Sequence, residues 1–465
     1  MAERLRPALS LIPKQGDTMS FTNASSLMTR LKGELPPSGL LPSTLQTFSC
    51  RWLPFAYIER CGERIGTRFT VYPLDMPPLV FLSDPHEIRA ILTAPATTLH
   101  PGAGATVIAP LIGERSFMLL EEDEHVHGRK TITPAFHRRM VASHTAMLGE
   151  SVEREVASWP LDVTFRLQPR IRALTLRVIL RAIFGEANDA LQLLHERLMD
   201  MLAVTVSVVL QEPKVRHLPG WRATWRRFVR QRAEVDELIY ALMERRRAEV
   251  DLQRGDLLDM LLSAEYPDGS PMSDRQVRDN LMSMILAGHE TTTGELAWAF
   301  QMLAHNPKVQ DRLIEEIDGG VEEEYLAATI HETMRHKPVF LFTIPRAVIK
   351  PVEIGGWTYR PPVHLAGCTY LMHHNPDLYP EPHEFRPERF LGATQQSRTW
   401  LPWGGGRKHC LGRHFALLEV KMILREVLRT RRVLAASGRV ERPRWRSAIL
   451  VPHAGCRVIL RARGA

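Results

Sequence analysis

Residues 401–412 read LPWGGGRKHCLG, and they limit how this chain can fold more than any other stretch does. Three consecutive glycines, Gly404, Gly405 and Gly406, suit neither a helix nor a strand interior, because glycine loses the most conformational freedom on ordering. They permit positive φ and let the backbone come close to something flat. The pattern from Leu411 to Thr430 is helical, so Cys410 sits where a helix begins. The unpaired N–H groups and positive dipole end of a helix favour a thiolate. Arg407, Lys408 and His409 are expected to push the same way. An isolated cysteine here would read as a small buried residue after a glycine turn; the flanking pattern favours a ligand instead.

Composition bounds the rest. Length alone, 465 residues, points to two or three domains. Hydrophobic residues at 44% and charged residues at 24% are the balance of a folded chain rather than a disordered one. No stretch approaches the roughly 20 apolar residues of a membrane span; the longest, residues 201–210, is flanked by Asp200 and Glu212. The first twenty residues lack the apolar core of a signal peptide, so a cytoplasmic location is expected. Met19 offers an alternative start to Met1. The five cysteines, Cys50, Cys61, Cys368, Cys410 and Cys456, form no C-x-x-C pair, which argues against a disulfide framework or a structural zinc site. A net charge of +8 fits nucleic acid, a membrane or an acidic protein as partner and does not choose among them.

Along the chain, residues 1–34 read as a flexible lead-in, and 35–39 (LPPSG) as a turn-rich entry. Residues 67–72 and 78–82 read as strands, and Asp84-Pro85 opens a helix. Residues 120–330 are almost all helical, with one apolar face, Leu174 to Ile183, ended by Gly185. Residues 343–370 return to strand character, broken at 358–362. Residues 376–402 read as a long ordered loop, which points to function. The expected fold class is mainly α with a small β region, with no repeat and no linker.

The cysteine loop resembles the heme-binding loop of the cytochrome P450 family, F-x-x-G-x-R-x-C-x-G. Gly406, Cys410 and Gly412 stand where that pattern asks. Trp403 replaces its Phe and is expected to pack on a porphyrin face. Lys408 replaces its Arg and pairs with a propionate as a point charge, without the bidentate fork. The resemblance implies that Cys410 is the axial ligand to the iron of heme b, since a thiolate ligand favours O–O cleavage. It spans nearly the whole chain and implies one domain over 35–465, overriding the length-based guess. The implied architecture is a triangular helical prism with heme between distal and proximal helices.

Other motifs follow in the family's order. Glu332-Thr333-Met334-Arg335 matches E-x-x-R, with both charges on one helix face. Residues 387–390, PERF, match the family's downstream segment. The implied structural triad is Glu332, Arg335 and Arg389. Residues 286–292, LAGHETT, resemble the distal-helix motif A-G-x-[DE]-T-[TS]. Glu290 and Thr291 are the implied catalytic pair, an acid and an alcohol that organise proton delivery to O2. Gly288 is expected to leave room for O2, and His289 to be an unusual polar pocket group or to face solvent. His125 and Arg129, one turn apart, match the propionate-binding H-x-x-x-R. Arg346 is their implied partner from the strand side.

By family layout the substrate cavity is lined by Ile108 in the loop 106–110, by Leu286, Ala287 and Gly288, by Phe340, Leu341 and Phe342, and by a turn near 449–451. These stretches are apolar, so an apolar small-molecule substrate is expected. Residues 198–221 would form the lid. No flavin or nicotinamide fingerprint is present, so NAD(P)H serves only indirectly, through a ferredoxin or flavodoxin type donor and its reductase. A basic surface at Arg407, Arg413, His414 and Lys421 would steer an acidic ferredoxin. The arginines between 222 and 232 read as a solvated helix face, not a nucleic-acid site. A monomeric heme-thiolate monooxygenase is the leading reading: O2 activation hydroxylates, epoxidises or oxidatively couples the substrate. The alternatives are a peroxygenase or isomerase that needs no electron donor, and a cofactor-free helical binding protein.

Overall fold

The computed structural model describes residues 34–73, 76–185, 188–204, 216–249, 256–266, 268–320, 323–392 and 399–464. Residues 1–33 of the expected lead-in, 205–215 of the expected lid and 393–398 of the long loop lie outside them.

The molecule is mostly helical, with a five-stranded sheet to one side. That sheet runs Arg68–Val71, Leu79–Leu82, His364–Gly367, Arg346–Val348 and Leu99–His100 in spatial order. Leu79–Leu82 is an unbroken apolar run because both of its faces are covered. Val80 and Leu82 join a core with Ile88, Ile91 and Leu365. The alternate residues Leu79 and Phe81 join a second one with Phe55, Ile58 and Tyr370. The helix Pro85–Thr93 starts at Asp84, whose carboxylate accepts the N–H groups of His86 and Glu87.

The long helix Asp274–His305 is the axis of the main core. Ser273 and Gln276 form a capping box at its start. Gln168–Phe184 packs along it and ends at Gly185, φ 85°. Thr291, Thr292 and Thr293 disfavour helix intrinsically. Each hydroxyl donates to the carbonyl four residues back, at 2.6, 3.0 and 2.8 Å, so these polar groups are satisfied within the helix, and tertiary packing holds the run helical. The C-terminal helix Arg413–Thr430 packs against the same axis.

Several strands were not anticipated. Thr164–Arg166, Arg457–Ala462 and Arg431–Ala435 form a three-stranded sheet, and Pro443–Arg446 pairs with Ile449–Pro452. Residues 449–451, expected as a turn, are therefore strand; the turn is at Ser447, φ 52°. Thr358 and Tyr359, read as part of a break, belong to strand Trp357–Tyr359. The loop expected at 106–110 is helical: a 3-10 turn Ala103–Ile108 runs into Ala109–Ile112. Among the described residues no helix is long and apolar enough to cross a membrane.

Candidate active site

The glycine-rich loop folds onto the helix Pro85–Thr93. Gly404 and Gly406 have φ of 65° and 67°, where L side chains are strained. A Cβ on Gly406 would lie 2.0 Å from the Leu92 carbonyl oxygen, so no other residue fits there. At Gly412 a Cβ would meet only Phe136 at 3.9 Å, and φ is −81°; nothing in the structure requires glycine there. The Cys410 N–H closes the loop by donating to the Trp403 carbonyl at 2.9 Å. Trp403 itself packs against the main core.

All five cysteines are free. Burial pushes the Cys410 thiol up, opposed by the Gly412 N–H and by the charges of Arg129 and Arg413. This corrects the expected source of thiolate stabilisation. Lys408 turns away and donates to the carbonyls of Met118 and Leu120, at 2.8 and 2.7 Å. Arg407 lines a neighbouring pocket. One helpful charge, Arg129, comes from a distant segment and the other, Arg413, from the first turn of the helix that follows the loop, while Lys408 is spent on backbone carbonyls. Arg129 also reaches His409, at 3.0 Å.

The neighbouring pocket brings together Glu121, His125, Arg346, Arg407 and Lys408. Burial pushes Arg346 down to about 10 and Lys408 down to about 8, while the Glu121 charge pulls both back up. Arg346 spends one nitrogen on the Ile344 carbonyl at 2.9 Å. His125 is lowered by burial, and its Nδ1 lies 2.8 Å from the Phe117 carbonyl. That contact needs the proton on Nδ1, which leaves Nε2 of a neutral ring as an acceptor. His125 thus donates to a carboxylate in the pocket only when protonated.

Between Val277 and Leu303 the long helix is buried at every position except Leu286, Ala287, Gly288 and Thr291. This short half-buried strip marks its open side. Two expectations change here. A Cβ on Gly288 would meet Ile179 Cδ1 at 2.9 Å, so the room this glycine makes is taken by the adjacent helix rather than by O2. His289 does not face solvent: it is fully buried, neither ring nitrogen has a hydrogen-bond partner among the described residues, and burial pushes it down to about 3.

Glu290 is buried between two guanidinium groups. Arg172 Nη2 lies 3.1 Å from Oε1, and Arg446 Nε lies 3.1 Å from Oε2. Burial alone would raise this carboxyl, but the charges beside it, His289 first, then Arg172 and Arg446, hold it below the usual carboxylate range. A histidine that itself stays neutral cannot carry that effect, so we assign it to the arginines. Arg446 gives no local signal in the sequence; a lone buried arginine beside an apolar strand is the only hint.

The triad residues are brought together. Arg335 donates through Nε to Glu332 Oε2 at 2.7 Å, and Arg389 Nε to Oε1 at 3.1 Å. Arg335 also donates to the carbonyls of His373 and Pro382, which ties the long loop down. Of the expected pocket residues, Ile108 packs at the edge of the main core. Phe340 is exposed. Leu341 is only 2% exposed, in the outer core with Phe55 and Tyr370, and the Phe342 ring packs at a tilt against Phe81, centroids 5.2 Å apart. Leu341 is therefore core. Val339, missed in the sequence, faces the long helix instead: its Cγ1 is 3.0 Å from the Cβ position of Gly294, beside Ile449 and Val451.

These residues fit heme. A free sulfur lies in a loop that only glycine can form, cations gather beside it for carboxylates, and an otherwise buried helix keeps a strip of small and apolar residues open. The family model for cytochrome P450 matches residues 36–459. The putative cytochrome P450 135B1 of Mycobacterium tuberculosis is 33% identical over 438 residues, covering 92% of both chains. The putative cytochrome P450 137 of that species is 34% identical over 404 residues, covering 86% of this chain and 84% of the relative. The structure of a retinoic acid bound cyanobacterial CYP120A1 superposes with a TM-score of 0.80 at 22% identity, covering 92% of this chain and 99% of that one. The chain belongs to the cytochrome P450 family. It is a heme-dependent monooxygenase that uses O2 and receives NAD(P)H-derived electrons through a partner.

Proposed function

We propose that Cys410 is the axial ligand of heme b and that Arg129, Arg346, Lys408 and, when protonated, His125 hold its propionates. The observation that carries this is that three basic residues from distant segments, His125, Arg346 and Lys408, line one pocket beside the Cys410 loop, while Arg129 lies by Cys410 and reaches His409. Trp403 packs beside the loop, and Gly406 sets its path. We assign residues 35–465 to one catalytic domain that acts as a monomer.

Bound heme supplies the oxygen-activating, one-electron chemistry. The chain's own residues manage protons and exclude water. Thr291 is the hydroxyl on the open strip; its proton is given to the Ala287 carbonyl at 2.6 Å, so its oxygen is free to accept from a water. Glu290 is the acid behind it. Ile108, Leu286, Ala287, Phe340, Val339, Ile449 and Val451 make an apolar wall, which supports an apolar small-molecule substrate to be hydroxylated, epoxidised or coupled. Arg413 and Arg407 are exposed near the cysteine, with His414 and Lys421 partly so. That surface supports an acidic ferredoxin or flavodoxin as donor.

The test is spectroscopic. Reduced protein under CO should show the red-shifted Soret band of thiolate-ligated heme, and Cys410→Ser should lose it while keeping its helical circular dichroism. Colourless protein would end this reading. Turnover with ferredoxin, reductase and NAD(P)H, compared with peroxide alone, separates a monooxygenase from a peroxygenase. Turnover indifferent to ionic strength would remove electrostatic steering. A screen for substrate-induced spin-state shifts identifies the substrate class.

A further inference from the structure

We infer that Glu121 is a built-in counter-anion in the propionate pocket, one that weakens the hold on heme and lowers its reduction potential. This rests on the heme reading above. Glu121 sits at the N-terminal edge of the helix Glu122–Ile132, where an acid normally caps its own helix. Its side chain makes no such cap. Glu122, Asp123 and Glu124 already complement that helix dipole. The Glu121 carboxylate turns instead to a different segment. Oε1 accepts the N–H of Gly102 and, at 3.3 Å, that of Ala103, where the 3-10 turn carrying Ile108 begins.

Its other oxygen, Oε2, lies 4.0 Å from Lys408 Nζ. Two of the three Lys408 donors are already given to the Met118 and Leu120 carbonyls. One N–H remains, and Glu121 and an incoming carboxylate compete for it. The pair is poorly screened, with side-chain exposures of 6% for Lys408 and 18% for Glu121. Arg346 lines the same pocket and feels the same anion. A fixed negative charge there repels a propionate. It also favours the more positively charged ferric state over the ferrous one.

Glu121 has a second, separable task. Through Gly102 and Ala103 it anchors the segment that lines the substrate side. Gly102 is wedged so tightly that a Cβ would lie 2.3 Å from the Leu119 carbonyl oxygen. One side chain therefore links the cavity wall to the loop that bears the cysteine. It acts as a positioning residue.

Two variants separate charge from anchor. Glu121→Gln keeps an acceptor oxygen for both N–H groups and removes the charge; Glu121→Ala removes both. The readouts are the ferric/ferrous midpoint potential of the holoenzyme and the rate of heme transfer to apomyoglobin. Glu121→Gln should move the potential positive and slow heme loss by about tenfold, the scale of one charge-assisted hydrogen bond gained by a propionate. Glu121→Ala should share the positive shift but lose heme faster than Glu121→Gln. A Glu121→Gln enzyme whose potential and heme-loss rate match the wild type, or whose potential moves negative, overturns the inference alone. Wild-type protein that binds no heme overturns the underlying reading as well.

Discussion

Arg446 Nε lies 3.1 Å from Glu290 Oε2, so the C-terminal hairpin grips the one acid on the long helix that adjoins Thr291. Arg172 grips the other oxygen. An acid held this way cannot offer a proton to the open side until one guanidinium lets go. Arg446→Met should destabilise the protein by about 3 kcal/mol, the lower end for breaking a buried pair, because Arg172 still compensates the charge. Urea unfolding of the holoenzyme measures this, and an unchanged midpoint would mean that the contact carries no weight.

Glu290→Gln removes the ionisable relay group but keeps the shape. We expect kcat to fall on the order of a hundredfold with a larger solvent isotope effect, while substrate still induces its spin-state change. A kcat within twofold of wild type would remove Glu290 from proton delivery.

Gly406→Ala should fail to load heme. The new Cβ would meet the Leu92 carbonyl oxygen at 2.0 Å, and φ is 67°. The ratio of Soret to protein absorbance reads this directly. A fully loaded alanine variant would show that the loop can take another path.

Glu419 lies on the C-terminal helix, and neither carboxylate oxygen has a hydrogen-bond partner among the described residues. Burial pushes it well above the usual carboxylate range. A raised acid stabilises the fold below its unfolded-state value and loses that contribution as pH rises. Glu419→Gln, which mimics the protonated form, should therefore raise Tm at pH 8 and change little near pH 4. Equal effects at both pH values would refute the assignment.

Buried histidines set the acid limit. Burial pushes His289 and His373 down to about 3 and His331 down to about 4. A depressed histidine contributes stability above its unfolded value near 6.5, and that contribution drains away as pH falls toward the folded value. Unfolding free energy should drop progressively between pH 6.5 and 4, and His373→Gln should shallow that slope. His373 Nε2 accepts the Leu401 N–H at 3.1 Å, a contact the glutamine side chain can still accept.

The sequence by itself determined the helix-rich fold, the cysteine loop, the acid–alcohol pair and the Glu332–Arg335 spacing, because each depends on residue types a few positions apart. Gly406 was legible since only glycine tolerates its φ. The tertiary structure alone decided which charges act on which groups. Arg172 and Arg446 are 118 and 156 residues away from Glu290, and Arg129 is 280 residues from the His409 ring it touches. It also turned His289 inward and gave the space at Gly288 to Ile179. Helical periodicity says which residues share a face, but only packing against another segment says what that face meets, and the low-dielectric interior then decides which charges matter.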